Sequence, residues 1–290
     1  TVTPEKLQLL KQAGVDRLSL GVQAFEDRWA HSLGRPQRRS EVEQALQQIC
    51  ETNFSVLNLD LIYGGEHQSL TDWKETVQEA LAWQPQELYL YPLYVRPLTG
   101  LGRRDRAWDD HRLQAYRAGR ELLLDVGYTQ VSMRMFRSPH APDLSGPVYC
   151  CQADGMLGLG CGARSYTSEV HYSTEYAVGQ TGIAAILSAY LDRDAEWFQA
   201  AHYGDRLPME DRRRRFLLLS LLQAEGVSLA SYRERFGADL FSHLPECQLL
   251  EPAGLARIEN DRLQLTERGL ELSDAIGAWH RIDRYETRIR

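Results

Sequence analysis

The chain has 290 residues, of which 43% are hydrophobic and 25% charged, a balance typical of a globular protein. This length allows a main domain and a smaller second one. The formal net charge of −7 argues against general binding to nucleic acid. Because the sequence contains neither an apolar run long enough to span a membrane nor a recognisable signal peptide, we expect a cytoplasmic protein without a membrane partner.

The first predicted strand has one polar face. A helix is predicted over residues 3–14, from a Thr-Pro-Glu start to a glycine stop. A strand that lies between two helices belongs to a parallel sheet, and such strands are ordinarily apolar on both faces. The polar face therefore predicts contact with a ligand or a polar barrel lumen, and the alternative is an edge strand whose polar face meets solvent. Leu18, Leu20 and Val22 form the apolar face, and Arg17, Ser19, Gly21 and Gln23 form the polar one.

The alternation of helix and strand then continues along the chain. Helices are predicted from a capping box at Ser40, from Ser69 and over residues 110–125, and strands over residues 56–63 and 88–95. Strands that alternate with helices of this length predict βα units with right-handed crossovers. Three such units do not close a barrel, and the chain opens in the middle of the pattern. We therefore expect the second half of an α/β barrel.

Asp60 is the first candidate for a functional residue. It lies between Leu59 and Leu61 in a predicted strand, so its carboxylate is expected to be partly buried. It is near the carboxyl end of that strand, where α/β folds bind ligands, and Asn58 points the same way. Position and burial favour contact with a ligand. The alternative is an ion pair with a neighbouring barrel residue such as Arg17, which would serve stability only.

Four blocks of sequence carry a family resemblance. Residues 17–25 read Arg-Leu-Ser-Leu-Gly-Val-Gln-Ala-Phe, residues 33–35 read Leu-Gly-Arg, and residues 60–64 read Asp-Leu-Ile-Tyr-Gly. A glycine-rich block, Leu-Gly-Leu-Gly-Cys-Gly-Ala-Arg-Ser, covers residues 157–165. In this order and spacing the blocks resemble the oxygen-independent coproporphyrinogen III oxidase-like radical SAM proteins.

The resemblance implies a radical SAM partial (β/α)6 barrel with S-adenosylmethionine and a [4Fe–4S] cluster as cofactors. Carried over by position, Gln23 and Arg35 would contact the ribose and carboxylate end of S-adenosylmethionine. Asp60 would accept a hydrogen bond from a ribose hydroxyl or its surroundings, and Tyr94 would lie by the adenine. These roles suit the side chains, since a guanidinium matches a carboxylate and an ionised Asp accepts from hydroxyl donors. The resemblance assigns no catalytic residue.

The cysteines depart from the family pattern. The family holds its cluster with three cysteines spaced C-x3-C-x2-C, and no such run occurs here. We therefore predict no metal ligand in this chain and expect the cluster ligands to lie outside it, in a fragment of a longer protein; a degenerate relative is the alternative. The five cysteines are Cys50, Cys150, Cys151, Cys161 and Cys247, which we expect to be free thiols.

The resemblance also suggests a substrate. Arg164 occupies a position that relatives commonly fill with an apolar residue, and its guanidinium suits a substrate carboxylate such as a tetrapyrrole propionate; a structural ion pair is the alternative. The implied activity is that of a radical SAM oxidoreductase, by oxidative decarboxylation or other radical chemistry on a tetrapyrrole-like substrate. Relatives also include haem chaperones, so a haem-binding protein without oxidase activity is an alternative function.

The last third of the chain predicts a separate helical unit that resembles a winged-helix domain. Helices are predicted over residues 211–226 and from Ser228, followed by a hairpin over residues 256–265 and a helix from Thr266. A nucleic-acid-binding module is therefore an alternative, but the four arginines 212–215 cover a full helical turn and do not form one basic face. The resemblance explains this part better as a cap domain. We predict a barrel half over 1–130, a connecting region over 131–205 and the cap over 206–290.

Overall fold

A computed structural model describes residues 2–35, 37–65, 67–94, 111–142, 155–175 and 180–279. The chain divides into two compact units, Thr1–Leu144 and Ser145–Arg290, and each is described by itself. Among the helices described here, none is both long and apolar enough to cross a membrane.

The first unit alternates helices and strands as predicted, which confirms the α/β class. Its elements in chain order are α1 (Pro4–Gln12), β1 (Arg17–Gln23), α2 (Asp27–Ser32), α3 (Arg39–Thr52), β2 (Val56–Tyr63), α4 (Leu70–Ala82), β3 (Glu87–Pro92), α5 (His111–Asp125), β4 (Thr129–Gln130) and β5 (Met135–Arg137).

The strands of the first unit form a five-stranded sheet in the order β1-β2-β3-β5-β4. The first two pairings are parallel, whereas β5 runs antiparallel to β3 and β4 runs antiparallel to β5. The sheet therefore extends past residue 130, where we placed the end of the barrel half, because β5 adds to the free side of β3.

Local capping explains where two of the helices begin. The Ser69 hydroxyl accepts from the Asp72 backbone N–H at 3.1 Å and the Asp72 carboxylate accepts from the Ser69 N–H at 2.9 Å, so α4 begins as predicted. The predicted cap at Ser40 is wrong, because the cap is Arg38, two residues earlier, and α3 begins at Arg39. Its first N–H group, on Arg39, is satisfied at 2.6 Å by the carboxylate of Asp27, a residue of another helix.

The core of the first unit lies between one face of the sheet and its helices. Alternate residues of the three parallel strands point into it, which matches the predicted period of two. Trp73 is fully buried and its indole N–H donates to the Ala115 carbonyl at 2.7 Å, which joins α4 to α5. The largest core side chains include Phe25, Leu46, Ile49, Leu59, Leu61, Tyr63, Leu88, Leu90, Tyr116 and Phe136.

The second unit begins with a small antiparallel sheet, ordered β6-β7-β8. Its elements are β6 (Arg164–Tyr166), β7 (Val170–Ser173), α6 (Gln180–Leu191), a short 3-10 helix (Trp197–Gln199) and β8 (Tyr203–Arg206).

The rest of the second unit has its own buried core, formed by residues between Phe216 and Ile276. A three-stranded sheet ordered β10-β11-β9 packs with helices around this core. The elements are α7 (Met209–Leu221), β9 (Val227–Ser228), α8 (Leu229–Phe236), α9 (Leu240–His243), a 3-10 helix (Pro245–Leu249), β10 (Ala256–Glu259), β11 (Arg262–Leu265), α10 (Glu267–Glu271) and α11 (Ser273–Trp279).

Local signals predicted much of this second core. The hairpin is confirmed, and its two turn residues, Asn260 and Asp261, both have positive φ, as a tight hairpin turn requires. The Ser228 and Thr266 hydroxyls cap α8 and α10 as predicted, since each accepts from the backbone N–H three residues on. The division of this unit at residue 205 stays a prediction.

Candidate functional site

The sheet of the first unit carries polar side chains on the face opposite its helices. Side chains alternate along each strand, so the residues between the core positions share this other face. We call it the polar face; its residues are Arg17, Ser19 and Gly21 of β1, Asn58 and Asp60 of β2, and Glu87, Tyr89 and Tyr91 of β3.

Asp60 lies at one end of a hydrogen-bonded row on the polar face, with Asn58 at its centre and Ser19 at the other end. The Asn58 side-chain amide donates to the Ser19 hydroxyl and to the Asp60 carboxylate, both at 2.7 Å. Burial raises the pKa of Asp60, while the hydrogen bond from Asn58, the charge of Arg17 and the hydroxyl of Ser19 lower it. Burial wins, so the carboxylate is held in an environment that disfavours its charged form. Perturbed groups of this kind concentrate at functional sites.

Asn58 adds an unused acceptor beside this carboxylate. Its side chain is 1% exposed, and within the described residues its carbonyl oxygen has no hydrogen-bond donor. Leaving a buried acceptor unpaired costs free energy. The row therefore offers two acceptors, the Asp60 carboxylate and the Asn58 carbonyl, to a group that brings hydroxyl or amine donors.

The ion pair of this face differs from the one we considered in the sequence. Arg17 donates through Nε and Nη2 to one carboxylate oxygen of Glu87, each at 2.7 Å, and makes no ion pair with Asp60. The Glu87 side chain is only 8% exposed, so its charge needs this partner. The alternative of a stabilising ion pair between Asp60 and Arg17 is therefore wrong, because Arg17 pairs with Glu87. Sequence reasoning missed Glu87, although it has the same strand parity as Tyr89 and Tyr91.

Aromatic rings cover the β3 side of the polar face. The rings of Tyr89 and Tyr91 stack with centroids 5.9 Å apart, and burial raises the pKa of both hydroxyls, which keeps them neutral. The guanidinium of Arg134 lies 5.5 Å from the rings of Tyr91 and Tyr94 and donates to the Tyr94 hydroxyl at 2.6 Å. Tyr94 is 51% exposed, so its ring presents a surface at the end of β3. The sequence did not single out Arg134.

Gln23 lies where β1 leaves its regular register. Its φ of 66° accompanies a break in the pairing between Gly21 and Gln23. The side chain folds over Gly21, because a Cβ placed on that glycine would lie 2.5 Å from the Gln23 amide nitrogen. The amide of Gln23 is thus held against the polar face beside Gly21, the residue of β1 that pairs with Asp60.

Arg35 occupies the exposed turn that follows α2. This turn lies at the carboxyl end of the strands, because Trp29 and Leu33 of the α2 segment pack with Ala24 and Leu93, which follow β1 and β3. The guanidinium makes no hydrogen bond or ion pair with a described residue. The structure therefore places Gln23 and Asp60 on one sheet and Tyr94 two residues after its strand β3. Arg35 lies on a loop at the carboxyl end of these strands.

Arg164 belongs to the second unit, in β6, and its side chain is exposed. The glycine-rich block before it makes the close backbone approach that we predicted, since a Cβ on Gly158 would lie 2.4 Å from the Arg164 carbonyl oxygen. Within the described residues Arg164 forms no ion pair, so the alternative of a structural ion pair finds no partner there.

The described cysteines do not fit an iron–sulfur cluster. Cys50 is exposed on a helix of the first unit, whereas Cys161 and Cys247 belong to the second. Burial raises the pKa of Cys247 to about 12, which disfavours the thiolate that a cluster needs. No group of His, Cys, Asp or Glu side chains suited to a metal occurs in the described parts of the chain. Cys150 and Cys151 lie outside those parts.

Two family models match the chain. Residues 1–80 match the radical SAM superfamily, and residues 207–272 match the HemN C-terminal domain. The first match contains β1 and β2 with Asp60, and the second contains most of the separate core of the second unit.

Curated relatives with two different names are similar to the chain. The heme chaperone HemW of Synechocystis is 32% identical over 167 residues, which are 56% of this chain and 40% of that protein's length. The HemW of Bacillus subtilis is 25% identical and the match covers 95% of this chain and 72% of the relative. The oxygen-independent coproporphyrinogen III oxidase of Pseudomonas aeruginosa is 24% identical over 90% of this chain and 59% of the relative.

A solved structure shares the fold. Coproporphyrinogen III oxidase (HemN) from Escherichia coli, described as a radical SAM enzyme, matches with a TM-score of 0.72 and 21% identity, over 98% of this chain and 68% of that one. This likeness confirms the predicted fold class. The chain thus matches the radical SAM superfamily in its first part and the HemN C-terminal domain in its last part, and it has the fold of HemN.

Proposed function

We propose that the protein binds S-adenosylmethionine on the polar face and takes part in radical chemistry on a tetrapyrrole-like substrate. The observation that carries the proposal is the pair of acceptors on β2. Asp60 is partly buried with a raised pKa, and the neighbouring Asn58 carbonyl lacks a donor among the described residues. A ribose supplies hydroxyl donors to such a pair. The radical SAM match over residues 1–80 supports this choice of ligand.

Other residues of the first unit would complete the binding site. The Gln23 amide and the Arg35 guanidinium would hold the ribose and carboxylate end, as the family resemblance implies. Tyr94 would stack by the adenine, and Arg134 orients that ring through its 2.6 Å hydrogen bond to the hydroxyl. Arg17 forms an ion pair with Glu87. The other carboxylate of the polar face, Asp60, forms no ion pair with a described residue.

The chemistry would come from the cofactor, with the protein supplying binding, orientation and electrostatics. Bound to a reduced [4Fe–4S] cluster, S-adenosylmethionine is a source of radical chemistry. The described cysteines do not fit that cluster, and we expect its ligands outside residues 1–290. The roles derived for this chain are therefore to bind and orient S-adenosylmethionine.

The names of the relatives support two alternative functions. The oxidase relatives favour oxidative decarboxylation of a tetrapyrrole such as coproporphyrinogen III. The HemW relatives favour a second function, haem binding without oxidation. Both require a tetrapyrrole-sized ligand, and Arg164 is the residue of this chain that we propose for a substrate carboxylate.

The test of cofactor binding is anaerobic calorimetry of the full-length protein with S-adenosylmethionine. Replacing Asp60 by Ala should remove a charge-assisted hydrogen bond, which costs about 1.5–3 kcal/mol, or a roughly ten- to hundredfold weaker affinity. The matched control is Asp16→Ala, because Asp16 is exposed on the segment that leads into β1 and only its backbone carbonyl makes a hydrogen bond across the sheet.

Equal affinities for Asp60→Ala and Asp16→Ala, with both proteins folded, would contradict the cofactor site. A second assay separates the two functions. Consumption of coproporphyrinogen III would support the oxidase, whereas a stoichiometric haem complex without consumption would support the chaperone.

A further inference from the structure

The helix α6 of the second unit is apolar, yet none of its described side chains is buried. The helix carries no charged residue over Gln180–Leu191. A helix that is apolar on all sides is ordinarily covered by other parts of a protein. Here Ile183, Leu187 and Leu191 are 41%, 45% and 79% exposed. The second unit therefore leaves apolar surface of α6 uncovered.

The segment around α6 has hardly any core of its own. Among residues 155–175 and 182–209, only Ser165 is buried. The buried cores of the described residues lie in the first unit and between Phe216 and Ile276. Packing within this segment therefore does not account for the apolar surface of α6, and a contact that covers this surface would be favourable.

The large side chains of α6 follow one another along one face of the helix. Ile183, Leu187 and Leu191 are spaced at intervals of four residues, so they are neighbours on that face. The ring of Tyr190, on the same side, meets the ring of Phe198 edge to face with centroids 5.3 Å apart. Phe198 is 47% exposed and extends the apolar surface beyond the helix. We call this surface the α6 stripe; it consists of Ile183, Leu187, Tyr190, Leu191 and Phe198.

We propose that the α6 stripe binds the same stripe of a second copy of this chain. A pair of identical surfaces is related by a two-fold axis, and an axis perpendicular to α6 makes the two helices antiparallel. With the axis near Leu187, this residue meets its own copy, and Ile183 meets Leu191 of the second copy. Rows of side chains at a spacing of four are the ridges that most often interdigitate between helices. The proposal uses none of the residues assigned to S-adenosylmethionine or to the substrate.

The area of the α6 stripe suits a weak dimer. A specific interface buries about 1,000 Å² in total or more, which is about 500 Å² on each copy. Four of the five side chains of the stripe are 41–79% exposed, and together they offer apolar area of roughly this size. Because such an interface is at the low end of the specific ones, we expect association at micromolar concentrations.

The ends of α6 complement each other in charge in this arrangement. Asp192 follows the helix, is exposed and makes no side-chain hydrogen bond or ion pair with a described residue. In the antiparallel pair it would lie beside the first turn of the other helix, at the level of Gly182, where free N–H groups and the helix dipole favour a carboxylate. The two Asp192 residues would be about 15 Å apart along the helices, so solvent ions screen their repulsion. The stripe itself offers no charge to a charged partner, which favours a second copy.

The test is the oligomeric state of the full-length protein, measured by analytical ultracentrifugation over about 1–100 µM. The original protein should form a dimer in this range. Leu187→Glu should weaken the dimer by about tenfold or more, because each dimer loses two leucine contacts and two carboxylates meet at the axis. Ala185→Glu is the matched control, since it adds the same charge to the exposed opposite face of the same helix and should leave the dimer unchanged.

Leu191→Gln is a second variant that adds no charge, at a side chain that is 79% exposed, and it should also weaken the dimer. Thermal melting of each variant checks its fold. An original protein that stays monomeric at about 100 µM would overturn the proposal and would mean that something other than a second copy covers α6. A dimer that is equally strong in Leu187→Glu and Ala185→Glu would overturn it as well, because the contact would then lie elsewhere.

Discussion

Asp60, which we propose as a ligand-binding residue, opposes the stability of the folded protein. Its carboxylate is partly buried, and burial outweighs the three neighbours that favour its charge, so its pKa lies above the ordinary value of 3.8. Between 3.8 and that raised pKa, the folded protein binds more protons at this site than the unfolded chain does. The free energy of unfolding therefore falls as the pH rises through this window, and the loss persists above it.

We predict that Asp60→Asn raises the melting temperature at pH 7 while it weakens the binding of S-adenosylmethionine. The substitution removes the buried charge and keeps the size of the side chain. Its stabilising effect should shrink as the pH falls from the raised pKa towards 3.8, and it should disappear below 3.8, where Asp60 of the original protein becomes neutral in both states. Thermal melts from about pH 3, below the ordinary carboxylate range, to about pH 8, above it, measure the effect.

The control for this prediction is Asp16→Asn, which changes an exposed carboxylate of the same unit. A gain in melting temperature for Asp60→Asn that is no larger than that of the control, or that does not depend on pH, would show that burial of Asp60 does not oppose folding.

At the scale of elements, the bounds that depend on short-range signals were predicted well, whereas the features that depend on long-range contacts were not. The bounds of β2 and the start of α4 follow from alternation and a capping pair within a few residues. The start of α3 depends on Asp27, which lies twelve positions before the first N–H group of the helix. It could therefore not be predicted from the residues next to the helix start. The addition of β5 to the sheet likewise depends on a pairing with a distant strand.

The same distinction applies to the candidate site. The polar parity of β1 and the burial of Asp60 were visible in the alternation of each strand. The ion pair of Arg17 with Glu87 joins residues 70 positions apart, and the position of Arg134 over Tyr94 joins residues 40 apart. No periodicity encodes such pairs, because they depend on which strands become neighbours.

Two glycines with nearly equal backbone angles test how tightly the second core is packed. Gly226 has φ +71°, and a Cβ there would lie 2.2 Å from the Leu263 carbonyl oxygen. Gly237 has φ +75° with nothing within 4 Å of its Cβ position. We predict that Gly237→Ala costs about 1–2 kcal/mol from backbone strain alone. Gly226→Ala should cost about 3 kcal/mol or more, because overpacking adds to the same strain.

Urea unfolding of the two glycine variants, with the original protein alongside, gives the two free energies of unfolding. Equal losses for Gly226→Ala and Gly237→Ala would mean that β9 does not approach β11 as closely as the structure has it.

At the scale of the whole molecule, the two units carry different parts of the proposed chemistry. The first holds the polar face and the second holds Arg164 and a core of its own. Their cysteines are divided in the same way, with Cys50 in one unit and Cys161 and Cys247 in the other. The proposed radical chemistry needs three thiolates at close spacing on one cluster, and neither unit offers them among its described residues.

We predict, finally, that the 290-residue polypeptide does not cleave S-adenosylmethionine after anaerobic reconstitution with iron and sulfide. Burial raises the pKa of the Cys247 thiol to about 12. Although Cys50 is exposed, partial desolvation of its thiol and then the charge of Glu51 raise its pKa too, so both cysteines oppose the thiolate form. The measurement is release of 5′-deoxyadenosine after addition of dithionite, with a coproporphyrinogen III oxidase relative as the positive control. Binding of S-adenosylmethionine should survive in this polypeptide, because the polar face needs no cluster. Release of 5′-deoxyadenosine by the polypeptide alone would show that its own cysteines hold a cluster, and replacing Cys161 by Ser would then identify the unit that provides it.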